Sequence, residues 1–209
     1  MNAKSTSGRP TKQQAAAKAE ALLDTARRLF CKKGFAETSI DEIAQVLQSS
    51  KHTIYRRYEN KLALLEAVVN RDVARFRIAL NEAGAREREP MAKLRSMSRA
   101  YFDFGASRAY SALYAAIALE AATSDHLRSR LRTWAASALS PLHQTIAAIL
   151  PTQRWRNGNP RAICEILVDL LDGASNRVRW SEDIDQDALS RIFEERWNVF
   201  RQAVGDVAP

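Results

Sequence analysis

Two cysteines, Cys31 and Cys164, are too few for a disulfide framework, so reduced thiols are expected and a disulfide-stapled secreted scaffold is excluded. No apolar run approaches the ~18 residues of a membrane span. The N-terminus, MNAKSTSGRPTK, lacks the apolar segment of a signal peptide, so a cytoplasmic protein with no membrane partner is expected. Sustained strand alternation is missing throughout. Histidine is reduced to His52, His126 and His143, whose spacing suits no helical metal pair. No HExxH, GxSxG or Gly-rich phosphate loop occurs, and scattered carboxylates such as Glu120 and Asp169 read as solvated or capping groups rather than an acid/base pair. Catalytic residues, metal ligands and cofactors are therefore not expected, and an enzyme is disfavoured.

Positive charge is what the chain has in excess, and it is unevenly placed. Residues 1–61 carry 12 Lys+Arg against 6 Asp+Glu, whereas the remainder carries 20 against 18, so most of the net +8 sits in the first third. Clustered cations are the footprint of a phosphate-binding surface, because binding releases counterions. The 46% of hydrophobic residues are enough for a sizeable core.

The stretch from Ser39 to Tyr58, SIDEIAQVLQSSKHTIYRRY, reads as two short helices joined by a tight turn. Ser39 with Glu42 forms a capping box, and Ile40, Ile43, Ala44 and Leu47 give one buried face. Gln48 and Ser49 carry the turn, and Ser50 is the next N-cap. The second helix, 51–58, buries little beyond Ile54 and Tyr58. Its other side presents Lys51, His52, Thr53, Arg56 and Arg57. A helix so short and so rich in donors makes sense in a DNA major groove, where these side chains reach phosphates and base edges. The plainer alternative is a surface helix pair with solvated charges.

Periodicity elsewhere gives an all-α fold of about nine helices. Residues 1–10 form a basic arm that either stays disordered or orders on DNA through Lys4 and Arg9, with Lys12 beyond it. Thr11 and Gln14 make a second capping box. The first helix then runs to Lys33 and stops at Gly34. Asn60 caps a long fourth helix, with Leu62, Leu65, Val69, Val73, Phe76 and Leu80 on one face. Lys61 opposes the dipole in its first turn; it is either an ordinary exposed lysine or the mark of a bound phosphate. Pro90, Arg108, Ser124, Asn159-Pro160 and Asp185 begin the later helices, and Pro141 either kinks or splits the seventh. The domains expected are an arm (1–10), a DNA-binding bundle with helix-turn-helix (11–61), a larger helical regulatory and dimerisation domain (62–204) and a tail (205–209). The last two helices have broad apolar surfaces, which predicts a four-helix interface with a second copy through Leu167, Leu170, Leu171, Ala174, Phe193, Trp197 and Phe200. Phe76, Tyr101, Phe104, Tyr114 and Trp134 are either plain core or the lining of an apolar pocket. Cys31, beside Lys32 and Lys33, is either a half-buried filler or a redox-sensing thiol.

These residues resemble the TetR family of transcriptional regulators. The resemblance runs from Gly8-Arg9-Pro10 to about Val69. It takes in Gly34-Phe35, the run from Thr38 to Ala44, the run from Ser50 to Tyr58, Asn60-Lys61 and Leu64-Leu65. The family's turn normally reads Ala-Gly-Val-Ser; here Leu47, Gln48, Ser49 and Ser50 stand there, putting a Cβ where φ is expected to be positive. The resemblance implies a homodimeric, ligand-released repressor that binds a palindromic double-stranded operator and responds to a small-molecule effector. Thr38, Ser39, Tyr55 and Lys61 would hold phosphates, and Lys51, His52, Thr53 and Arg56 would face the groove. Arg9 in the arm and Ser50 at the head of the reading helix complete the expected DNA-binding set. Effector entry would swing the fourth helix and change the spacing of two reading helices set about one DNA turn, ~34 Å, apart.

Overall fold

The computed structural model describes residues 11–152, 157–181 and 184–204, and within these every regular element is helical. The chain divides into two compact units, Met1–Val69 and Asn70–Pro209. That division lies further along the fourth helix than the 61/62 boundary read from the sequence. The expected arm contact Arg9 and the expected tail 205–209 lie outside the described residues.

The N-terminal unit holds α1 (Lys12–Lys33), α2 (Ile40–Val46), α3 (Lys51–Tyr55) and the first turns of α4 (Lys61–Ala85). Thr11 caps α1 with both halves of a capping box in place. The helix stops at Gly34, whose φ of 88° and ψ of 167° belong to a region that essentially only glycine occupies. Leu22, Leu23, Ala26, Leu29 and Phe30 of α1, Ile40, Ile43 and Ala44 of α2, Ile54 of α3 and Leu64, Leu65 and Val68 of α4 are all buried. Apolar positions at helical spacing thus converge from four helices.

In the C-terminal unit the rest of α4 is followed by α5 (Pro90–Ala106), α6 (Arg108–Ala121), α7 (Asp125–Ile149), a short 3₁₀ turn (Leu150–Thr152), α8 (Pro160–Trp180) and α9 (Gln186–Val204). The starts follow local capping chemistry. The Glu89 carboxylate accepts from Met91 and Ala92 N–H, and Asn159 Oδ1 accepts from Arg161 N–H ahead of Pro160. Ser124 caps α7 and Asp185 accepts from the Ala188 N–H of α9. Pro141 is accommodated inside α7, which continues through it as one helix. α5 packs on α8, and at Gly105 an added Cβ would come to 3.0 Å from Ser175 Oγ.

The core of this unit settles one expectation. Leu167, Leu171, Ala174, Phe193, Trp197 and Phe200 were expected at an interface with a second copy. All are at most 3% exposed and belong to the subunit's own core, with Leu170 packed partly against it. A side chain covered by its own chain has no surface left for a partner, so these six residues are core rather than interface, while the partly buried Leu170 keeps some surface. No helix among the described residues is long and apolar enough to cross a membrane.

Candidate functional site

α2 and α3 are built from short-range hydrogen bonds. Ser39 Oγ accepts from the Glu42 N–H at 3.1 Å, but the other half of the expected capping box is replaced. The Glu42 carboxylate instead takes the Lys33 ammonium at 2.5 Å. α2 ends in a left-handed stop: the Gln48 N–H reaches Gln45 O at 3.0 Å and the Ser49 N–H reaches Ala44 O at 2.9 Å. Gln48 holds φ at 50°, so the turn keeps its left-handed residue without a glycine. Ser50 then caps α3, its Oγ accepting from the Thr53 N–H at 3.2 Å and lying 2.9 Å from Thr53 Oγ1.

α3 is shorter than the 51–58 read from the sequence. It closes at Tyr55, and the Arg57 and Tyr58 N–H groups both return to Ile54 O at 2.9 Å. Ile54 is its one buried side chain, 1% exposed. Lys51, His52, Thr53, Tyr55, Arg56 and Arg57 are all exposed, and Lys51 makes a solvent-exposed pair with Asp41 at 3.3 Å. Such a pair is worth little, so Lys51 is easily released to a stronger anion.

Thr38 and Lys61, expected at phosphates, are turned to their own chain. Thr38 is 1% exposed and its hydroxyl donates to Gly34 O at 2.7 Å. The Lys61 ammonium donates to Phe35 O at 2.7 Å, Ala36 O at 3.0 Å and Thr38 O at 2.9 Å, and it sits 4.5 Å from the centroid of the Phe35 ring. An ammonium has three N–H donors, and here all three are engaged. This also resolves the misfit of a lysine at a helix N-terminus, because the ammonium neutralises the carbonyl cluster of the α1–α2 connection rather than facing its own helix dipole.

The model for bacterial regulatory proteins of the tetR family matches residues 22–68, the span that holds this geometry. Over 49 residues the chain is 41% identical to the uncharacterized HTH-type transcriptional regulator YvkB of Bacillus subtilis, covering 23% of this chain and 26% of that protein. Over 79 residues it is 30% identical to the DNA-binding transcriptional repressor TetR of Mycobacteroides abscessus, covering 38% of this chain and 42% of that one. The matched stretches therefore span less than half of these relatives. Likeness in fold extends further. A TetR-like transcriptional regulator from Rhodococcus sp. RHA1 superposes with a TM-score of 0.66 at 26% identity, over 93% of this chain and 98% of the other. A TetR family transcription regulator from Marinobacter aquaeolei VT8 does so with a TM-score of 0.68 at 20% identity, over 94% and 100%. The chain is thus similar to TetR-family transcriptional regulators, in sequence over residues 22–68 and in fold over most of its length.

The C-terminal unit holds a cavity of about 800 Å³ between α4, α5, α6, α7 and α8. Phe76, Tyr101, Phe104, Tyr114 and Trp134, read from the sequence as either core or pocket lining, all reach it. Phe76 stacks on Phe104 with centroids 4.4 Å apart and meets Tyr101 edge-on at 5.8 Å. The Trp134 indole N–H donates to Asn70 Oδ1 at 2.7 Å, which fixes the ring against the cavity wall.

Three polar groups of this wall were not anticipated. Asp172 accepts from the Tyr101 hydroxyl at 2.9 Å. Loss of water around it raises its carboxyl above the usual range, with Asp169 adding to the rise and the Tyr101 bond and nearby Arg179 opposing it. Arg179 donates to Gly105 O at the end of α5 and to Asn176 Oδ1. Asp72 lies 3.5 Å from the Arg71 guanidinium. The Tyr101–Asp172 bond joins residues 71 apart in sequence, so no local pattern announces it. Of the two thiols, Cys31 is half-buried and Cys164 is buried. Burial, assisted by Glu165, pushes the Cys164 thiol up to about 11.

Proposed function

We propose that this chain is a homodimeric, sequence-specific DNA-binding repressor of the TetR family, released from a palindromic operator by a small molecule entering the C-terminal cavity. The observation that carries the reading is α3. Its single buried residue, Ile54, anchors a helix whose other side chains are all exposed and mostly hydrogen-bond donors. Such a helix contributes little to a core and has the chemistry to meet base edges and phosphates. In this reading Lys51, His52, Thr53 and Arg56 face the groove, while Tyr55 and the helix heads at Ser39 and Ser50 approach phosphates. Thr38 and Lys61 hold the connection that presents them.

A second copy would double the few contacts such a helix offers. The surface that supports pairing is a different stripe of α8 and α9 from the one buried in the core. Ile166, Gly173 and Trp180 recur at intervals that share one face of α8, where Ile166 is 45% and Trp180 87% exposed and a Cβ on Gly173 would meet nothing within 4 Å. Val199 of α9 is 56% exposed. A thiol sensor is a second reading and would have to use the half-buried Cys31, since burial pushes the Cys164 thiol up to about 11.

Titrating the full chain against its own upstream intergenic DNA at several salt concentrations tests the proposal. Binding of one duplex above bulk DNA, with log K falling steeply as log[salt] rises, is expected. Equal affinity for every duplex, or a single subunit in solution at micromolar concentration, would overturn it.

A further inference from the structure

We propose that the cavity of the C-terminal unit takes a lipophilic cation, its charged centre beside Asp172 and its aromatic or alkyl body against Phe76, Phe104 and Trp134. The inference rests on the reading of this cavity as the effector site and adds the charge of the ligand to it.

The walls are dominated by apolar and aromatic side chains, and among the described residues three charged groups reach the space: Asp72, Asp172 and Arg179. Two of them are committed. Arg179 donates to the Gly105 carbonyl, one of the last of α5 and so lacking a partner within its helix, and to Asn176. Arg179 keeps further N–H donors, but its charge already acts on Asp172, so an anion there would sit beside that carboxylate as well. Asp72 lies against the Arg71 guanidinium. Asp172 differs from both. Its hydrogen bond in this structure is the one from the neutral Tyr101 hydroxyl, whereas a carboxylate offers about four lone-pair sites.

Asp172 has one neutral hydrogen-bond donor in a largely apolar wall; the Tyr101 bond and the charge of Arg179 offset only part of its desolvation cost, which Asp169 adds to, so the carboxyl stays raised. A ligand cation beside it repays the cost and gains a charge-assisted contact. The aromatic faces favour the same sign, because ring quadrupoles attract cations at about 6 Å or less from the centroid. The chain as a whole is net +8, which favours anions at long range. A preference for cations would therefore come from the cavity itself.

Tetraphenylphosphonium and tetraphenylborate share size and shape and differ in the sign of their charge. Both are titrated into the full chain, read by calorimetry and by fluorescence of Trp134 and Trp180, which line the cavity. The phosphonium is expected to bind at least about tenfold more tightly, and Asp172→Asn should remove about that factor while leaving the borate unchanged or tighter. Asp172→Glu, which keeps the charge, should restore most of the preference, so a general loss of structure is told apart from a loss of charge. Ala138→Trp, which fills the space, should abolish phosphonium binding. Borate binding as tight as phosphonium binding, or an Asp172→Asn variant with unchanged phosphonium affinity, overturns the charge assignment and leaves the effector-site reading standing. Failure of both probes to bind, or binding that survives Ala138→Trp, overturns the cavity reading as well.

Discussion

The connection before α2 and the outer face of α3 use polar side chains in opposite ways. At the connection the Thr38 hydroxyl and the Lys61 ammonium are satisfied by carbonyls of Gly34, Phe35, Ala36 and Thr38. On α3 the polar side chains are left at the surface around one buried isoleucine. The same residue types, lysine and threonine, thus build the platform in one place and stand ready for a partner in the other. The platform needs them because α1 ends at a glycine and the chain must turn into α2 within a few residues, which leaves carbonyls without helical partners. Inward donors set the position from which outward donors can read.

The sharpest way to break this contrast is Lys61→Met, which keeps the stem near Phe35 and removes the ammonium. Loss of three charged hydrogen bonds, partly replaced by water at these half-exposed carbonyls, should cost about 2–3 kcal/mol in urea unfolding. DNA affinity should fall for all duplexes alike while the slope of log K against log[salt] is kept. A slope flatter by about one unit, with stability intact, would instead make Lys61 a phosphate ligand. Gly34→Ala strikes the same connection through the backbone. Nothing lies within 4 Å of the added Cβ, so the expected loss of about 1–2 kcal/mol in unfolding comes from conformation alone. A neutral result would mean that the α1 stop is free to shift.

Variants of α3 should do the reverse. His52→Ala and Arg56→Ala remove exposed side chains and should leave stability within about 0.5 kcal/mol. Arg56→Ala should weaken every duplex by about 1 kcal/mol and reduce the salt slope by about one unit. His52→Ala should relax preference at one base pair, by about 1 kcal/mol, with the slope unchanged. If both variants behave alike in competition with mismatched duplexes, the division of roles on α3 is wrong.

What could be read from the sequence divides along the same line, between local and distant chemistry. Capping at Thr11, Ser39, Ser50, Ser124, Asn159 and Asp185 spans two or three residues, so each helix start could be placed from residue type and spacing. The destination of the Lys61 ammonium could not, because its acceptors lie 23 to 26 residues earlier. The apolar stripes of α8 and α9 were visible, but an amphipathic period says only that a face is covered, not which chain covers it. Leu167, Leu171, Phe193 and Trp197 are covered by their own subunit, while Ile166 and Trp180, on the sparser face, are left outside. The aromatic residues of the cavity were equally visible; the carboxylate among them was not, since its significance depends on a tyrosine that only the fold brings near.

The smallest expected effect concerns Gln48, which stands where the family's turn has glycine. Gln48 sits at φ 50°, where a Cβ is crowded by the following carbonyl at a cost of about 1–2 kcal/mol. Replacing it by glycine removes that strain but frees the unfolded chain, which loses back part of the gain. Gln48→Gly should therefore raise stability by only about 0.5 kcal/mol in urea unfolding. DNA affinity and salt slope should not move, because the bonds from the Gln48 and Ser49 N–H groups already fix the angle at which α3 leaves α2. An affinity gain in Gln48→Gly, larger than its gain in stability, would mean that the glutamine holds α3 away from its best reading position, and that the platform is less rigid than the saturated donors around Lys61 imply.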